Sequence, residues 1–241
     1  NRSQLLPRAI SSVLDQSFSD WELIIWDDGS TDQTKQVVES FTDERIKYHI
    51  ALNEVVGDTL KRAIEQANGK YIAFLDSDDV WAPLKLEYQN EIMEIYNEID
   101  CLFCDFQNIN QVKNEAGRGF SQNNKAMQEL ETIQLDSDLF FIRDGFNKSI
   151  AVGNFIATDS VVIKNEVLQK IGLFREELRN SEDFELWWRM GLTGVRFAYI
   201  NKVLLTRYKS SENLSSPGLL ATQNTLKALE ICQKKALENN R

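Results

Sequence analysis

Strands and helices alternate through the first hundred residues, and this alternation limits the fold more than any other feature of the sequence. Short apolar runs predict strands at residues 21–27, 45–50, 71–75 and 101–106. Segments with apolar residues at helical spacing lie between these runs. This order is typical of a mostly parallel sheet flanked by helices, because parallel strands need crossover connections. The sequence therefore predicts a Rossmann-like α/β fold.

Acidic turns follow two of the predicted strands. The pair Asp27-Asp28 ends the first, and the turn LDSDD, with Asp76, Asp78 and Asp79, ends the third. In open parallel sheets, ligands bind at the carboxyl ends of strands. Crowded carboxylates raise each other's pKa unless a cation or hydrogen-bond donors compensate them. We therefore expect a divalent cation with a phosphorylated ligand, and the alternative is a solvated turn that caps the next helix.

Charge and cysteine content exclude several classes of protein. A total of 27 Lys and Arg against 37 Asp and Glu gives a formal charge of −10, which disfavours nucleic acid and anionic lipid as partners. Three cysteines are too few for a disulfide framework, and we interpret Cys101 and Cys104 as core thiols of a buried strand. Because no signal peptide and no apolar run of about 18 residues is visible, we expect a soluble protein.

The alternation breaks after the fourth predicted strand. Residues 107–149 are polar and contain glycines, and we interpret them as a surface insertion or a lid with one helix near residues 126–131. Order returns with a strand in NFIATDSVVI and a helix over Asn165 to Gly172. The segment NSEDFELWWRMG predicts a further helix, with Glu182 and Asp183 in its first turn.

Several stretches taken together resemble family 2 glycosyltransferases of the GT-A fold. They are SSVLDQSFSDWELIIWDDGSTDQT, AIEQANGKYIAFLDSDDVWAPLKLE, and GLFREEL followed by SEDFELWWRMG. Their order and spacing match that family over residues 9–213, apart from the middle segment. The resemblance implies inverting transfer of a sugar from a nucleotide diphosphate donor, usually a UDP-sugar, to a hydroxyl group. It also implies Mn²⁺ or Mg²⁺ as the cofactor on the diphosphate.

The resemblance assigns roles to the acidic turns. Asp27 and Asp28 match the pair of which one accepts a hydrogen bond from the uracil imide. Asp76 matches the family position near the ribose, and Asp78 matches the position that ligates the metal. Simpler interpretations stay open, in which Asp28 caps its turn and Asp79 caps the helix that begins near Pro83.

The resemblance also implies a catalytic residue and a phosphate contact. Asp183 matches the general base that takes a proton from the acceptor hydroxyl, and Glu182 beside it is the second candidate. Lys61 lies where many members of the family have Arg-Asn, so it is either a point charge for the phosphates or a solvated lysine.

The chain departs from the family pattern at two places. It begins at Asn1, after the position of the family's first strand, so we expect a sheet without one central member. Ser210 stands where members often have a histidine, and His49 in a predicted strand is interpreted as structural. A calcium-binding loop starting at Asp76 is disfavoured because its sixth position holds Trp81 in place of glycine. A catalytically silent sugar-nucleotide-binding or scaffold domain stays open.

We therefore expect residues 1–241 to form a single GT-A domain. Residues 1–106 would bind the nucleotide-sugar, 107–150 would be the variable segment, 151–216 the acceptor and catalytic half, and 217–241 a C-terminal helix. The donor would supply a hexose or N-acetylhexosamine, and the acceptor would be a saccharide or lipid-linked saccharide. We expect a cytoplasmic location, with at most peripheral contact with the inner face of the membrane.

Overall fold

A computed structural model gives the positions of most of the chain. The described residues are 1–51, 56–175, 178, 181–209 and 226–234, without the side chains of 56–58. The helices are α1 Leu6–Leu14, α2 Thr34–Glu39, α3 Val56–Gln66, α4 Lys85–Ile95, α5 Gly119–Gln122, α6 Asn124–Met127, α7 Phe146–Val152, α8 Asn165–Ile171 and α9 Glu182–Leu192. Residues 226–234 are also helical. The strands are β1 Leu23–Asp27, β2 Ile46–Ile50, β3 Tyr71–Ala73, β4 Val80–Trp81, β5 Cys101–Asn110, β6 Glu115–Arg118, β7 Glu131–Gln134, β8 Leu139–Asp144, β9 Val161–Lys164 and β10 Phe197–Lys209.

The strands form two sheets. β1 and β2 pair in parallel, with Leu23 opposite Ile46. The larger sheet has the order β3-β9-β5-β10-β8-β7, with β4 beside β10 and β6 beside β5. β5 and β10 are parallel, whereas its other pairs are antiparallel and each includes a strand from beyond residue 110. The predicted α/β class is confirmed, and the larger sheet is mixed because the second half of the chain adds antiparallel strands.

β1 and β3 lie in different sheets, and a cavity of about 1770 Å³ is lined by residues of both. α1, α3 and the turn after β3 complete its wall. The acidic turns after β1 and β3 both open into it, which brings the sequence-predicted carboxylates to one side of the fold.

The main core lies behind this cavity, between the larger sheet and α9. Trp187 and Leu186 of α9 are fully buried, and they belong to the same apolar cluster as Phe155 and Phe197. Burial of side chains of this size stabilises the fold by about 1.5–3 kcal/mol each. The core therefore fixes the start of α9, where Glu182 and Asp183 lie.

The segment 107–150 is more ordered than the sequence predicted. It contains β6, β7, β8, the helices α5 and α6 and most of α7, where the sequence indicated an excursion with one helix. The single-helix interpretation is therefore wrong. β7 could not be predicted from periodicity, because all its residues are exposed and do not alternate between buried and exposed positions. β7 forms through its pairing with β8.

The starts of α2 and α9 differ in how they are capped. α2 begins at Thr34, whose backbone N–H donates to Asp32 Oδ1 at 3.0 Å. Ser181 precedes α9 with φ of 67° and makes no side-chain cap. Ser210 lies outside the described residues, as do parts of the predicted C-terminal helix.

Candidate active site

The turn after β3 is tied to β10 by Asp79. The Asp79 side chain is 3% exposed, and its Oδ1 accepts a hydrogen bond of 2.9 Å from the Tyr208 backbone N–H. Its Oδ2 lies 3.4 Å from Nε of Arg207. Within the turn, the Asp79 N–H donates to the Asp76 carbonyl at 3.1 Å. Asp79 therefore holds the acidic turn against the strand that crosses beneath it.

A cluster of three carboxylates surrounds the Arg207 guanidinium. Asp76, Asp79 and Asp159 each place one oxygen within 4.8 Å of the others. Arg207 lies 4.0 Å from Asp76 Oδ2 and 3.7 Å from Asp159 Oδ1, in addition to its contact with Asp79. Asp159 comes from the short 3₁₀ turn Thr158–Ser160. The sequence analysis named Asp76 and missed Asp159, whose only signal was a charged residue inside an apolar strand pattern.

Burial and mutual repulsion change the charge balance of this cluster. The Asp76 side chain is 55% exposed to the cavity, yet desolvation by the surrounding protein, followed by repulsion from Asp79, raises its pKa to about 6. Complete burial, with repulsion from Asp76, raises the pKa of Asp159 well above its ordinary value. The two Asp159 oxygens accept no hydrogen bond from an N–H or hydroxyl group in the part of the chain that the structure describes. Crowded carboxylate oxygens are the ligands that Mg²⁺ and Mn²⁺ prefer, so the cluster fits the implied cation.

Asp78 is paired with Arg2 and is not one of the three converging carboxylates. Its Oδ2 lies 3.8 Å from a guanidinium nitrogen of Arg2, and its backbone carbonyl accepts a hydrogen bond from Arg8. Partial burial and repulsion from Asp79 raise its pKa. Asp78 lines the large cavity, but it is outside the group of three carboxylates that converge. Its assignment as a metal ligand stays a prediction.

The acidic pair after β1 divides into a buried and an exposed member. Asp27 is 8% exposed and accepts hydrogen bonds from the Ser30 N–H at 2.8 Å and the Tyr48 hydroxyl at 2.5 Å. Burial alone would raise the pKa of Asp27, but these hydrogen bonds outweigh burial and lower it. Asp28 is exposed and lines the cavity. Lys61 of α3 is not among the described residues that line the cavity, and its phosphate contact stays a prediction.

Asp183 lies in the first turn of α9, directed toward the acidic cluster. Its Oδ2 accepts hydrogen bonds from Asn154 Nδ2 at 3.0 Å and from Thr158 Oγ1 at 3.5 Å. Desolvation raises the pKa of Asp183, although hydrogen bonds to Phe184 and Asn154 oppose the shift. Beside it, desolvation and repulsion from Asp183 raise the pKa of Glu182 to about 7.

A second, smaller cavity of about 270 Å³ meets the large cavity at Asp183. We call it the amide groove, because side-chain amides of Asn108, Gln122, Asn123 and Asn154 line it. Thr158, Asp183, Arg207 and Lys209 line both cavities. A carboxylate that contacts two adjoining cavities can act on groups bound in either one.

The fold and the site together define a ligand-binding α/β domain with an acidic cleft at the carboxyl ends of its strands, the class to which nucleotide-sugar enzymes belong. The family model described as Glycosyl transferase family 2 matches residues 1–159, which is more than half of the chain. The chain belongs to glycosyl transferase family 2, and the resemblance found in the sequence is confirmed.

Individual relatives agree with this membership. The UDP-Glc:alpha-D-GlcNAc-diphosphoundecaprenol beta-1,3-glucosyltransferase WfgD of Escherichia coli is 39% identical over 113 residues, 46% of this chain and 44% of that protein. An uncharacterized glycosyltransferase of Rickettsia prowazekii is 30% identical over 190 residues, 78% of this chain and 55% of that protein. The chain thus spans about half the length of these relatives.

Solved structures show the same fold. The crystal structure of S. aureus TarS 1-349 in complex with UDP-GlcNAc has a TM-score of 0.74 and 19% identity, covering 96% of this chain and 62% of that one. This likeness confirms the GT-A fold predicted from the sequence. Among the described helices, none has both the length and the apolar composition that crossing a membrane requires.

Proposed function

We propose that this chain is the donor-binding and catalytic unit of an inverting glycosyltransferase. It would move a hexose or N-acetylhexosamine from a UDP-sugar to a hydroxyl group of a saccharide or lipid-linked saccharide. The position of Asp183 between the large cavity and the amide groove carries this proposal. The large cavity, with its acidic turns, would receive the donor, and the amide groove would receive the acceptor.

The donor side has residues suited to each part of a UDP-sugar. Asp28, or Asp27 beside it, would accept the uracil imide N–H, and Asp76 would contact the ribose. The family resemblance assigns Asp78 as the metal ligand. It also makes Lys61 a candidate for contact with the phosphates of the donor. A bound Mn²⁺ or Mg²⁺ would neutralise the charge that develops on the departing diphosphate. Arg207, which is 31% exposed, adds a fixed positive charge on the same side.

Asp183 would act as the general base. Its carboxylate takes the proton of the acceptor hydroxyl as that oxygen bonds to the anomeric carbon, and the bond from this carbon to the diphosphate oxygen breaks on the opposite face. The configuration at the anomeric carbon is thereby inverted. Asn154 and Thr158 hold the carboxylate in place, and its raised pKa makes it a stronger base than an exposed aspartate.

The composition of the amide groove supports a saccharide acceptor. Amide groups both donate and accept hydrogen bonds, as sugar hydroxyls do. Asn108 Nδ2 donates to Gln122 Oε1 at 2.6 Å, while Asn108 Oδ1 is buried without a partner among the described residues. The WfgD relative is named for an acceptor sugar carried on diphosphoundecaprenol. A lipid-linked acceptor of that kind would place this protein at the inner face of the membrane.

A screen of UDP-sugars for metal-dependent hydrolysis tests the proposal. We expect one UDP-hexose or UDP-N-acetylhexosamine to be hydrolysed slowly with Mn²⁺ and not with EDTA. The Asp183→Asn variant is the matched control, because it should bind the same nucleotide and hydrolyse it more slowly. Binding of UDP without turnover of any sugar would favour a catalytically silent sugar-nucleotide-binding domain. Absence of UDP binding would contradict both.

A further inference from the structure

Asp159 is a fully buried carboxylate with an unusual environment. The residue is 0% exposed, and neither Oδ1 nor Oδ2 accepts a hydrogen bond from an N–H or hydroxyl group of the described residues; its side-chain neighbours are the Asp79 carboxyl group and Arg207. A buried charge without hydrogen bonds is strongly unfavourable, so buried carboxylates normally have donors around them. Asp105 shows the ordinary arrangement, since it is equally buried but accepts hydrogen bonds from Arg118 and from two backbone N–H groups.

The backbone around Asp159 is held firmly. Trp81 Nε1 donates to the Asp159 carbonyl at 2.9 Å, and the Ser160 N–H and hydroxyl both donate to the Ala157 carbonyl. The Asp159 carboxylate therefore keeps its position beside Asp79 and Asp76 through contacts that do not involve its own oxygens. Such rigid placement of a side chain is typical of a ligand-binding position.

The nearby positive charges do not complete the coordination of Asp159. Arg207 Nε lies 3.7 Å from Oδ1, beyond hydrogen-bond distance, and the same guanidinium also faces Asp79 and Asp76. Lys85 is the other cation close enough to affect Asp159, and its ammonium lies 4.3 Å from the centre of the Trp81 ring without a hydrogen bond to any acceptor. Both Asp159 oxygens thus keep lone pairs that no donor of the described residues uses.

We infer that Asp159 is a ligand of the divalent cation, contributed from outside the acidic turn and acting together with Asp76 and Asp79. The three ligand oxygens lie within 4.8 Å of one another, close enough to contact one ion. Hard cations such as Mn²⁺ and Mg²⁺ favour this all-oxygen set. The inference rests on the proposed function, because it concerns the cation that the UDP-sugar would share.

The competing explanation is that Asp159 is uncharged and hydrogen bonds to Asp79. The two explanations make opposite predictions for Asp159→Asn, which keeps the shape of the side chain and removes its charge. If Asp159 is uncharged and does not contact the cation, Asp159→Asn leaves the affinity for Mn²⁺ unchanged. If Asp159 is a ligand, Asp159→Asn lowers that affinity, because an amide oxygen carries no charge and is a weaker ligand for Mn²⁺ than a carboxylate.

The test is titration of Mn²⁺ alone into the 241-residue chain, followed by Mn²⁺ electron paramagnetic resonance of the same samples. We expect Asp159→Asn and Asp159→Ser to lower the affinity for Mn²⁺ at least about tenfold. Loss of a residue that only hydrogen bonds to a metal ligand already lowers metal affinity by about that factor. Asp105→Asn is the matched control, since it removes a buried carboxylate outside the cleft and should leave Mn²⁺ affinity unchanged.

Melting temperatures separate loss of the ligand from loss of the fold. In EDTA, Asp159→Asn should melt close to wild type, because it keeps the shape of the side chain, and the rise in Tm that Mn²⁺ gives wild type should disappear. Wild-type Mn²⁺ affinity in both folded Asp159 variants would overturn the inference. Loss of Mn²⁺ in Asp78→Ala, with Asp159→Asn unaffected, would leave the proposed function in place and reject Asp159 as a ligand. Failure of wild type to bind UDP with Mn²⁺ would instead reject the proposed function.

Discussion

Asp183 is a residue for which binding and chemistry can be separated. The resemblance places the general base here, and the structure surrounds its carboxylate with the hydrogen-bond donors Asn154 and Thr158. If Asp183 only interacted favourably with the dipole of α9, its replacement would lower the free energy of unfolding by about 0.3–1 kcal/mol and leave turnover unchanged. A general base would leave stability nearly unchanged and affect turnover.

Asp183→Asn should keep UDP-sugar and Mn²⁺ affinity while the rate of transfer falls by roughly 10²–10⁴-fold, the usual contribution of a positioned base. Transfer rate, donor affinity and Tm are measured on the same sample. Glu182→Gln is the matched neighbour, and its transfer rate should fall less. Transfer near the wild-type rate in Asp183→Asn would move the assignment to Glu182.

Asp27 and Asp28 have different environments, which sharpens the uracil prediction. Asp28→Asn should weaken the affinity for UDP by about 10–100-fold, the cost of one hydrogen bond to a charged group. Asp27→Asn should instead lower the free energy of unfolding by about 1–3 kcal/mol, because it disturbs the acceptor of the Tyr48 hydroxyl and the Ser30 N–H. Calorimetric UDP titration and urea unfolding of both variants measure these effects. Equal UDP affinity in the two variants would remove the uracil assignment.

At the scale of elements, the buried Arg189 side chain of α9 attaches this helix to the end of α8. Arg189 donates to the carbonyls of Ile171, Gly172 and Leu173 and to both oxygens of Glu185. Glu185 is fully buried. Because α9 also carries Asp183, this attachment determines where the candidate base lies.

Arg189→Met should lower the free energy of unfolding by about 1.5–3 kcal/mol, since it removes the Arg189 hydrogen bonds to Glu185 while Arg175 Nε still donates to Glu185 Oε1 at 3.0 Å. The double variant Glu185→Leu with Arg189→Met should recover part of that loss. Urea unfolding monitored by tryptophan fluorescence provides both values. A loss below about 1 kcal/mol in the single variant would show that the pair contributes as little as an exposed one.

Sequence patterns predicted the helices and strands that have a periodic arrangement of apolar residues. They missed the strands that form only because they pair with a neighbouring strand. β1, β2, β5 and α9 follow apolar periodicity and lie close to their predicted positions. β7 has only exposed residues, so its pairing with β8 could not be read from periodicity. Asp159 was missed for a related reason: it joins Asp76 and Asp79 through tertiary packing, across some 80 residues of sequence that contain no shared motif.

At the scale of the whole molecule, the carboxyl groups with altered pKa form two sets. In the cleft, burial and repulsion raise the pKa values of Asp76, Asp159, Glu182 and Asp183. At Glu22, Asp27 and Asp100, hydrogen bonds and ion pairs outweigh burial and lower the pKa values. A group with a raised pKa binds its proton more tightly in the folded state, so it stabilises the fold as pH falls; a lowered pKa has the opposite effect.

The free energy of unfolding in EDTA should therefore rise as pH falls from about 8 to about 5, through the pKa values of Asp76 and Glu182 at about 6 and about 7. It should then decrease below about pH 4, as the groups with lowered pKa values become protonated. With Mn²⁺ and UDP bound, the free energy of unfolding should change less between about pH 5 and pH 8, because the cation compensates the carboxylates of the large cavity. Urea unfolding at each pH measures this free energy. A free energy of unfolding that increases steadily up to about pH 8 in EDTA would contradict the prediction.

The meeting of the two cavities at Asp183 has a consequence for how such a protein can diversify. The amide groove takes Asn108, Gln122 and Asn123 from the segment 107–150, whereas both acidic turns belong to residues 1–106. Under the proposed function, mutations in residues 107–150 would change which hydroxyl group receives the sugar and would leave the nucleotide-binding residues unchanged. Exchange of residues 107–150 between homologues would then be a direct way to engineer a new glycan linkage.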